Sequence, residues 1–288
     1  MMTIFGTTRV LGILGWPVGH SMSPIMQNAA LAVLGLDYVY VPFAVPPEGL
    51  AAAVIGLKAL GVDGFNVTIP HKSAIVPLLT RLSPEAELIG AVNTVKREGD
   101  ELVGYNTDCS GFIKSLRADF GSDPAGSRVL VLGAGGAARA ALVGLCQAGA
   151  REIIVANRSL ESGRRLIGTF STRFSGTQLA AIPQDVASLS PVLQKIDILV
   201  NTTSVGMGGS RFPDFNLTAM NRHGCVYDMV YTPPETPLLL EAARQGLRRA
   251  NGLGMLVAQG ELAFALWTGE EAPQGVMKTA IESAMSCK

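Results

Sequence analysis

The chain has 288 residues, 48% of them hydrophobic and 16% charged, which is core enough for two domains and too little charge for a disordered chain. Lysine plus arginine and aspartate plus glutamate number 23 each, so charge makes no case for nucleic acid or an anionic membrane as a partner. No apolar run reaches the ~18 residues that cross a bilayer, and Met1 to Val10 lacks a basic region ahead of an apolar core, so neither a membrane segment nor a signal peptide is expected.

Strand-like and helix-like segments alternate, the pattern of an α/β chain with parallel sheets. Arg9 to Leu14 reads as a strand, Gly15 to Ser23 as a polar turn, and Pro24 suits the first position of a helix running to about Leu34. Tyr38 to Phe43 is β-branched and aromatic, hence a strand; Pro47 to Leu60 reads as a helix, and Gly64 to Thr68 as a short strand, with Pro70 opening another helix. Ala91 to Lys96 and Glu101 to Tyr105 flank Arg97-Glu-Gly-Asp100, a hairpin signal that breaks the alternation and predicts a mixed sheet. After a turn-rich linker from Gly121 to Ser127, Arg128 to Leu132 is a continuous apolar strand of the buried parallel kind. A glycine turn, a helix to about Ala148 and strands at Glu152–Ala156, Asp197–Val200 and Gly224–Val230 follow. The C-terminal stretch is helical in pattern, and periodicity alone does not place it.

The first apolar strand leads into Gly133-Ala134-Gly135-Gly136-Ala137-Ala138, a G-x-G-x-x-A at a strand-to-helix junction. The first glycine allows the tight turn, the second lets backbone approach a pyrophosphate, and the small third position lets helix and strand pack closely. Free N–H groups of the helix start then face the phosphates. Where NAD sites carry a carboxylate at the end of the next strand, this chain has Asn157-Arg158-Ser159. Nothing there repels a 2′-phosphate and Arg158 can clasp one, so the expected cofactor is NADP. The plainer alternative is a glycine-rich turn and a solvated surface arginine.

Four polar clusters fall at strand ends or turns of the first half: His20-Ser21-Met-Ser23-Pro24, Asn66-Val-Thr68-Ile-Pro70-His71-Lys72, Gly90-Ala-Val-Asn93-Thr94 and Asn106-Thr-Asp108. They are mainly neutral hydrogen-bonding groups, suited to a ligand with several hydroxyls, and only Lys72 and Asp108 carry charge. Singly, each has a plain reading: Lys72 a solvated lysine, Asp108 and Ser23 helix caps, Asn93 a turn residue, Tyr231 a core aromatic. Cys109, Cys146, Cys225 and Cys287 stand too far apart for a CxxC pair and read as reduced cytoplasmic thiols. Three histidines without an HExxH give no basis for a metal centre. Without a secretory signal, the Asn-x-Thr triplets at Asn66, Asn201 and Asn216 are not glycosylation sites.

At these clusters, at Gly133–Ala138 and Asn157-Arg158-Ser159, and at Asp228-x-x-Tyr231-x-Pro233 and Gly252-x-Gly-Met-Leu-Val-x-Gln259, the chain closely resembles the shikimate dehydrogenase family, with the blocks in the family's order from Gly12 through Trp267. The resemblance implies NADPH-dependent interconversion of 3-dehydroshikimate and shikimate in the cytoplasm. It makes Lys72 the catalytic lysine and Asp108 its partner. It assigns Ser21 and Ser23 to the substrate carboxylate, and Asn66, Thr68, Asn93, Tyr231 and Gln259 to the ring hydroxyls and the rest of the pocket. Gly133 to Ala137, Asn157, Arg158 and Ser159 would hold NADP, with Met229 and Gly252 bordering the nicotinamide. It also implies a substrate domain over 1–108, a Rossmann-type NADP domain over 109–252, and C-terminal helices (253–288) returning to the first domain across a cleft. Ser162 stands where family members often carry a basic residue, and Cys109 where many have glycine. A quinate dehydrogenase using NAD or NADP, and a non-catalytic NADP-sensing module, remain the alternatives. A homodimer is left open.

Overall fold

The computed structural model describes residues 3–213 and 216–286; Cys287 lies outside them. The chain divides into two compact units, Met1–Gly111 with Val257–Lys288, and Phe112–Leu256.

The first unit contains β1 (Arg9–Gly15), α1 (Ser23–Val33), β2 (Tyr38–Ala44), α2 (Leu50–Ala59), β3 (Gly64–Val67), β4 (Arg81–Leu82), α3 (Pro84–Ile89), β5 (Thr94–Glu98) and β6 (Glu101–Tyr105). Its sheet has the order β2-β1-β3-β5-β6-β4. β1 pairs in parallel with both β2 and β3, whereas β5 runs antiparallel to β3 and β6, so the sheet is mixed as expected. The hairpin turns at Gly99, whose φ of 62° suits a two-residue loop, and Glu98 faces Glu101. Phe65, Val67, Ile75, Val92 and Val95 pack with Leu57 and Leu14 into the core below α2.

The helix expected from Pro70 does not form. His71 accepts one helical hydrogen bond from Ile75, and then the pattern stops. The carbonyl of Lys72, which a helix would offer to Val76, accepts instead from the Val92 N–H at 2.8 Å. Pro77 has no N–H to continue the ladder and disfavours the helical region for Val76 before it, so only a short 3₁₀ turn follows at Val76–Leu78.

α4 (Asp108–Phe120) begins in the first unit and ends in the second. The second unit then runs β7 (Arg128–Leu132), α5 (Gly136–Gln147), β8 (Glu152–Asn157), α6 (Leu160–Phe170), β9 (Gln178–Pro183), α7 (Val186–Leu193), β10 (Ile198–Asn201), β11 (Val205–Gly208), β12 (Cys225–Asp228), α8 (Pro237–Arg244) and β13 (Arg248–Asn251). Its sheet is wholly parallel, in the order β13-β12-β10-β7-β8-β9. The order reverses between β7 and β10, and such a switch point opens a crevice at the strand ends. The turn-rich segment 121–127 links α4 to β7 inside this unit. Leu130, Leu132, Leu199 and Val226 pack against Leu238 and Leu239 of α8 in its core.

α9 (Leu253–Thr268) and α10 (Val276–Ser286) close the chain, and from Val257 onward it belongs to the first unit. No described helix is long and apolar enough to cross a membrane. Trp267 of α9 packs against Gly64 of β3, and its indole N–H donates to the Val95 carbonyl at 2.9 Å. A Cβ at position 64 would overlap that ring. Gly64→Ala is therefore expected to lower stability by about 1–3 kcal/mol, read from urea unfolding midpoints.

Candidate active site

Asn66 pairs in register with Thr94, and Thr94 with Tyr105, so the end of β3, the start of β5 and the end of β6 share one edge of the first sheet. Lys72 follows β3 on the segment that fails to become a helix. Its backbone is tied to Val92, and its neighbour His71, 1% exposed, anchors through its imidazole to the Val45 carbonyl at 2.7 Å. Lys72 Nζ then reaches Asp108 Oδ2 at 2.5 Å.

Asp108 is the first residue of α4, and the cap is supplied by Asn106. The Asn106 Oδ1 accepts from the Asp108 and Cys109 amides at 3.1 and 3.3 Å, which overturns the plain reading of Asp108 as a cap and leaves its carboxylate free for other partners. Asn93 supplies one of them. Its Oδ1 accepts from the Thr107 backbone N–H at 2.7 Å, a group that can only donate. That sets the amide, so Nδ2 faces Asp108 Oδ1 at 2.9 Å, with Gln259 Oε1 at 3.3 Å.

Asn66 extends the cluster. Its Nδ2 donates to the Asn93 carbonyl and to Thr94 Oγ1, both at 3.1 Å, and its Oδ1 accepts from the Tyr40 hydroxyl at 2.7 Å. Burial pushes the Tyr40 phenol well above its usual range, and Ser23 is its other hydrogen-bonding neighbour. Ser21 accepts from the Ser23 amide at 3.2 Å, so Ser23 heads α1 without capping it. Thr68 lies at the end of β3, its methyl against Gly15, where a Cβ would not fit. The structure thus brings Lys72, Asp108, Asn93, Asn66, Ser23 and Gln259 into one polar cluster. Tyr40, Thr94 and Thr107 belong to it too. Tyr40 hid in an aromatic strand pattern, and His71 partners a backbone carbonyl that no motif marks.

The second unit holds the remaining residues. Gly133 has a φ of 107°, and a Cβ there would meet Thr202 and Thr203 at 2.8 Å. Nothing lies within 4 Å of a Cβ built on Gly135, so the space over this residue is open. α5 starts at Gly136, leaving the first-turn N–H groups, those of Gly136 and Ala137 among them, without helical acceptors, while Ala138 is fully buried against the sheet. Ala134 is half-buried in the turn. Asn157 ends β8 and donates to the Ser159 carbonyl at 2.9 Å, and Ser159 caps α6 by accepting from Ser162. Arg158 between them is exposed and forms no ion pair among the described residues. Open backbone, unpaired amides and a free guanidinium fit a dinucleotide carrying a 2′-phosphate.

Met229 and Tyr231, both half-buried, follow β12 in this same unit. Met229 N–H donates to the Asn201 carbonyl at 3.0 Å, and a Cβ at Gly252 would overlap the Met229 carbonyl. Asp228 before them is fully buried. It accepts from Asn201 Nδ2 at 2.8 Å, Val230 N–H at 3.0 Å and Thr236 Oγ1 at 2.6 Å. Burial outweighs these hydrogen bonds and lifts its carboxyl to about 6. Because the folded state holds this proton more tightly than the unfolded chain, the contribution to stability is complete below the ordinary carboxylate range and is lost as pH rises through about 6. Asp228→Asn is expected to escape that loss. The stability difference between variant and wild type, from urea unfolding, should grow in the variant's favour by up to about 3 kcal/mol between pH 4 and pH 7.5.

Taken together, a parallel sheet with a Gly-x-Gly turn at its switch point and a mixed-sheet unit with a part-buried Lys–Asp pair define a nicotinamide-nucleotide-dependent dehydrogenase. Residues 13–95 match the shikimate dehydrogenase substrate binding domain, residues 116–207 the shikimate / quinate 5-dehydrogenase family, and residues 252–282 the shikimate 5′-dehydrogenase C-terminal domain. The chain is 61% identical over 99% of both lengths to a shikimate dehydrogenase (NADP(+)) of Geobacter metallireducens. It superimposes with a TM-score of 0.90 on a solved shikimate dehydrogenase in complex with NADP+, at 40% identity over 98% of this chain and 97% of that one. A Thermus thermophilus shikimate 5-dehydrogenase in complex with NADP(H) and shikimate gives a TM-score of 0.85 and 37% identity over 96% and 99%. The chain belongs to the shikimate dehydrogenase family.

Proposed function

We propose that this protein catalyses the reversible, NADPH-dependent reduction of 3-dehydroshikimate to shikimate, a step of aromatic amino acid biosynthesis, in the cytoplasm. The observation that carries the reading is the Lys72–Asp108 pair at the centre of a buried cluster of amides and hydroxyls. The functions named for its relatives support the substrate and cofactor, and buried Cys109, Cys146 and Cys225, none of them in a disulfide, suit a reducing compartment.

NADPH, held by the glycine turn, the start of α5 and Arg158, supplies the hydride when bound. The Lys72 ammonium then gives its proton to the ketone oxygen as negative charge develops there. Asp108 holds the lysine by charge and hydrogen bond, and Asn93 holds Asp108. Ser21 and Ser23 take the substrate carboxylate, and Asn66, Thr68, Asn93, Gln259 and Tyr231 the ring hydroxyls. Asn66 spends both amide hydrogens inside the protein, so it offers a ligand only an acceptor lone pair. In the reverse direction the neutral lysine takes the proton back.

Lys72→Ala is expected to lower kcat by at least ~10²-fold with a far smaller change in KM, followed by nicotinamide absorbance with shikimate and NADP+. Near-normal turnover would remove Lys72 from the role. Arg158→Ala is expected to weaken NADP+ about 10-fold or more and leave NAD+ nearly unchanged, as losing one charge-assisted phosphate contact should. An unchanged preference would show that another group reads the 2′-phosphate.

A further inference from the structure

We infer that the buried carboxylate of Asp228 acts on the nicotinamide end of the cofactor site as an uncompensated negative charge, favouring the oxidised, cationic ring over the reduced, neutral one. The inference rests on reading the second unit as an NADP site. Given that reading, the sheet order orients the ligand. The glycine turn follows β7, and Arg158 follows β8 on one side of it. A dinucleotide with its pyrophosphate at Gly135 and its 2′-phosphate at Arg158 must send its other half the opposite way, over the ends of β10 and β12. Leu132, Asn201 and Asp228 stand side by side in the register, so Asp228 lies two strand spacings, ~10 Å, from the end of β7.

The three donors to Asp228 are all neutral, and it forms no ion pair among the described residues. The charged groups of α8, the turn before it and β13 are engaged elsewhere. Glu235 pairs with Arg249 at 3.3 Å, Arg244 with Glu241 at 3.3 Å, and Arg248 bonds the Phe120 carbonyl at 2.9 Å. The unit's histidine, His223, precedes β12 at its opposite end. An asparagine would keep this packing, with its oxygen accepting from Asn201 and Val230 and its nitrogen donating to the Thr236 hydroxyl. The carboxylate therefore carries a desolvation cost that packing does not require, and beside a cofactor crevice such a charge has a use. Reducing the ketone moves a hydride from NADPH to carbon and a proton to oxygen, and leaves NADP+ with a positive ring. A negative charge at this edge stabilises that product.

The test is binding without turnover. Wild type and Asp228→Asn are titrated with NADP+ and with NADPH by calorimetry at pH 8, without substrate. The expected result is a roughly tenfold weaker Kd for NADP+ in the variant and less than twofold change for NADPH, the size of one charge acting over ~10 Å through an effective dielectric of ~20. Thr236→Val, which removes a hydrogen bond but keeps the charge, should leave the ratio of the two Kd values unchanged. If Asp228→Asn weakens both forms equally, or neither, the residue only packs and the inference is overturned. Should that variant not fold, the wild type answers alone. Its preference for NADP+ over NADPH should shrink several-fold from pH 8 to pH 5.5 as Asp228 takes up its proton, and a constant ratio overturns the inference. Wild type that binds neither form ends the cofactor reading and this inference with it.

Discussion

A carboxylate that is 4% exposed must have its oxygens answered, and the arrangement of the first unit follows from how Asp108 meets that demand. One oxygen takes the Lys72 ammonium and the other the Asn93 amide. Each partner is itself held by backbone: Lys72 through its carbonyl to Val92, Asn93 through the Thr107 N–H. Because a backbone N–H only donates and a carbonyl only accepts, the cluster has one consistent set of donor directions, running from Tyr40 through Asn66 and Thr94 to the carboxylate. The pair is thus placed before any ligand arrives, which is the condition for positioned proton transfer.

The second unit meets the same demand without a cation. Asp228 is answered by three neutral donors from the ends of β10 and β12 and the start of α8. The two buried carboxylates differ accordingly. Asp108 is neutralised by its lysine and serves to hold it, whereas Asp228 keeps a charge that burial penalises. Both sit where strands end, because there backbone groups leave the ladder and side chains must take over their hydrogen bonds.

Glycines mark where backbone itself is the structural part. At Gly133 a positive φ and the closeness of Thr202 and Thr203 exclude a side chain. At Gly252 the carbonyl of Met229 fills the space a Cβ would need, so the chain entering α9 is pressed against the residue after Asp228. These approaches hold the loop after β7 to the loop after β10, and the loop after β13 to the loop after β12.

The sequence by itself determined what short-range rules carry: β7 as an apolar run, the glycine turn and helix after it, and the β5–β6 hairpin; roles for Lys72 and Asp108 came only from the family resemblance, since singly each reads as an ordinary solvated or cap residue. It was silent on β9 and β13, edge strands of alanine or arginine whose pairing comes from the neighbouring strand rather than from their own apolar pattern. It misread Pro70 as a helix start, because the competitor for the Lys72 carbonyl is Val92, twenty residues away. His71 and Asn201 find partners that no local pattern marks, for the same reason. Their partners are a carbonyl of Val45 and the carboxylate of Asp228, 26 and 27 residues away, and only the folded chain brings those atoms within reach; the cap of α4, by contrast, comes from Asn106, two residues before Asp108. Residue types are local, but hydrogen-bond saturation of a buried polar group depends on segments far apart in the chain, as between Asn93 and Gln259, and tertiary structure alone decides it.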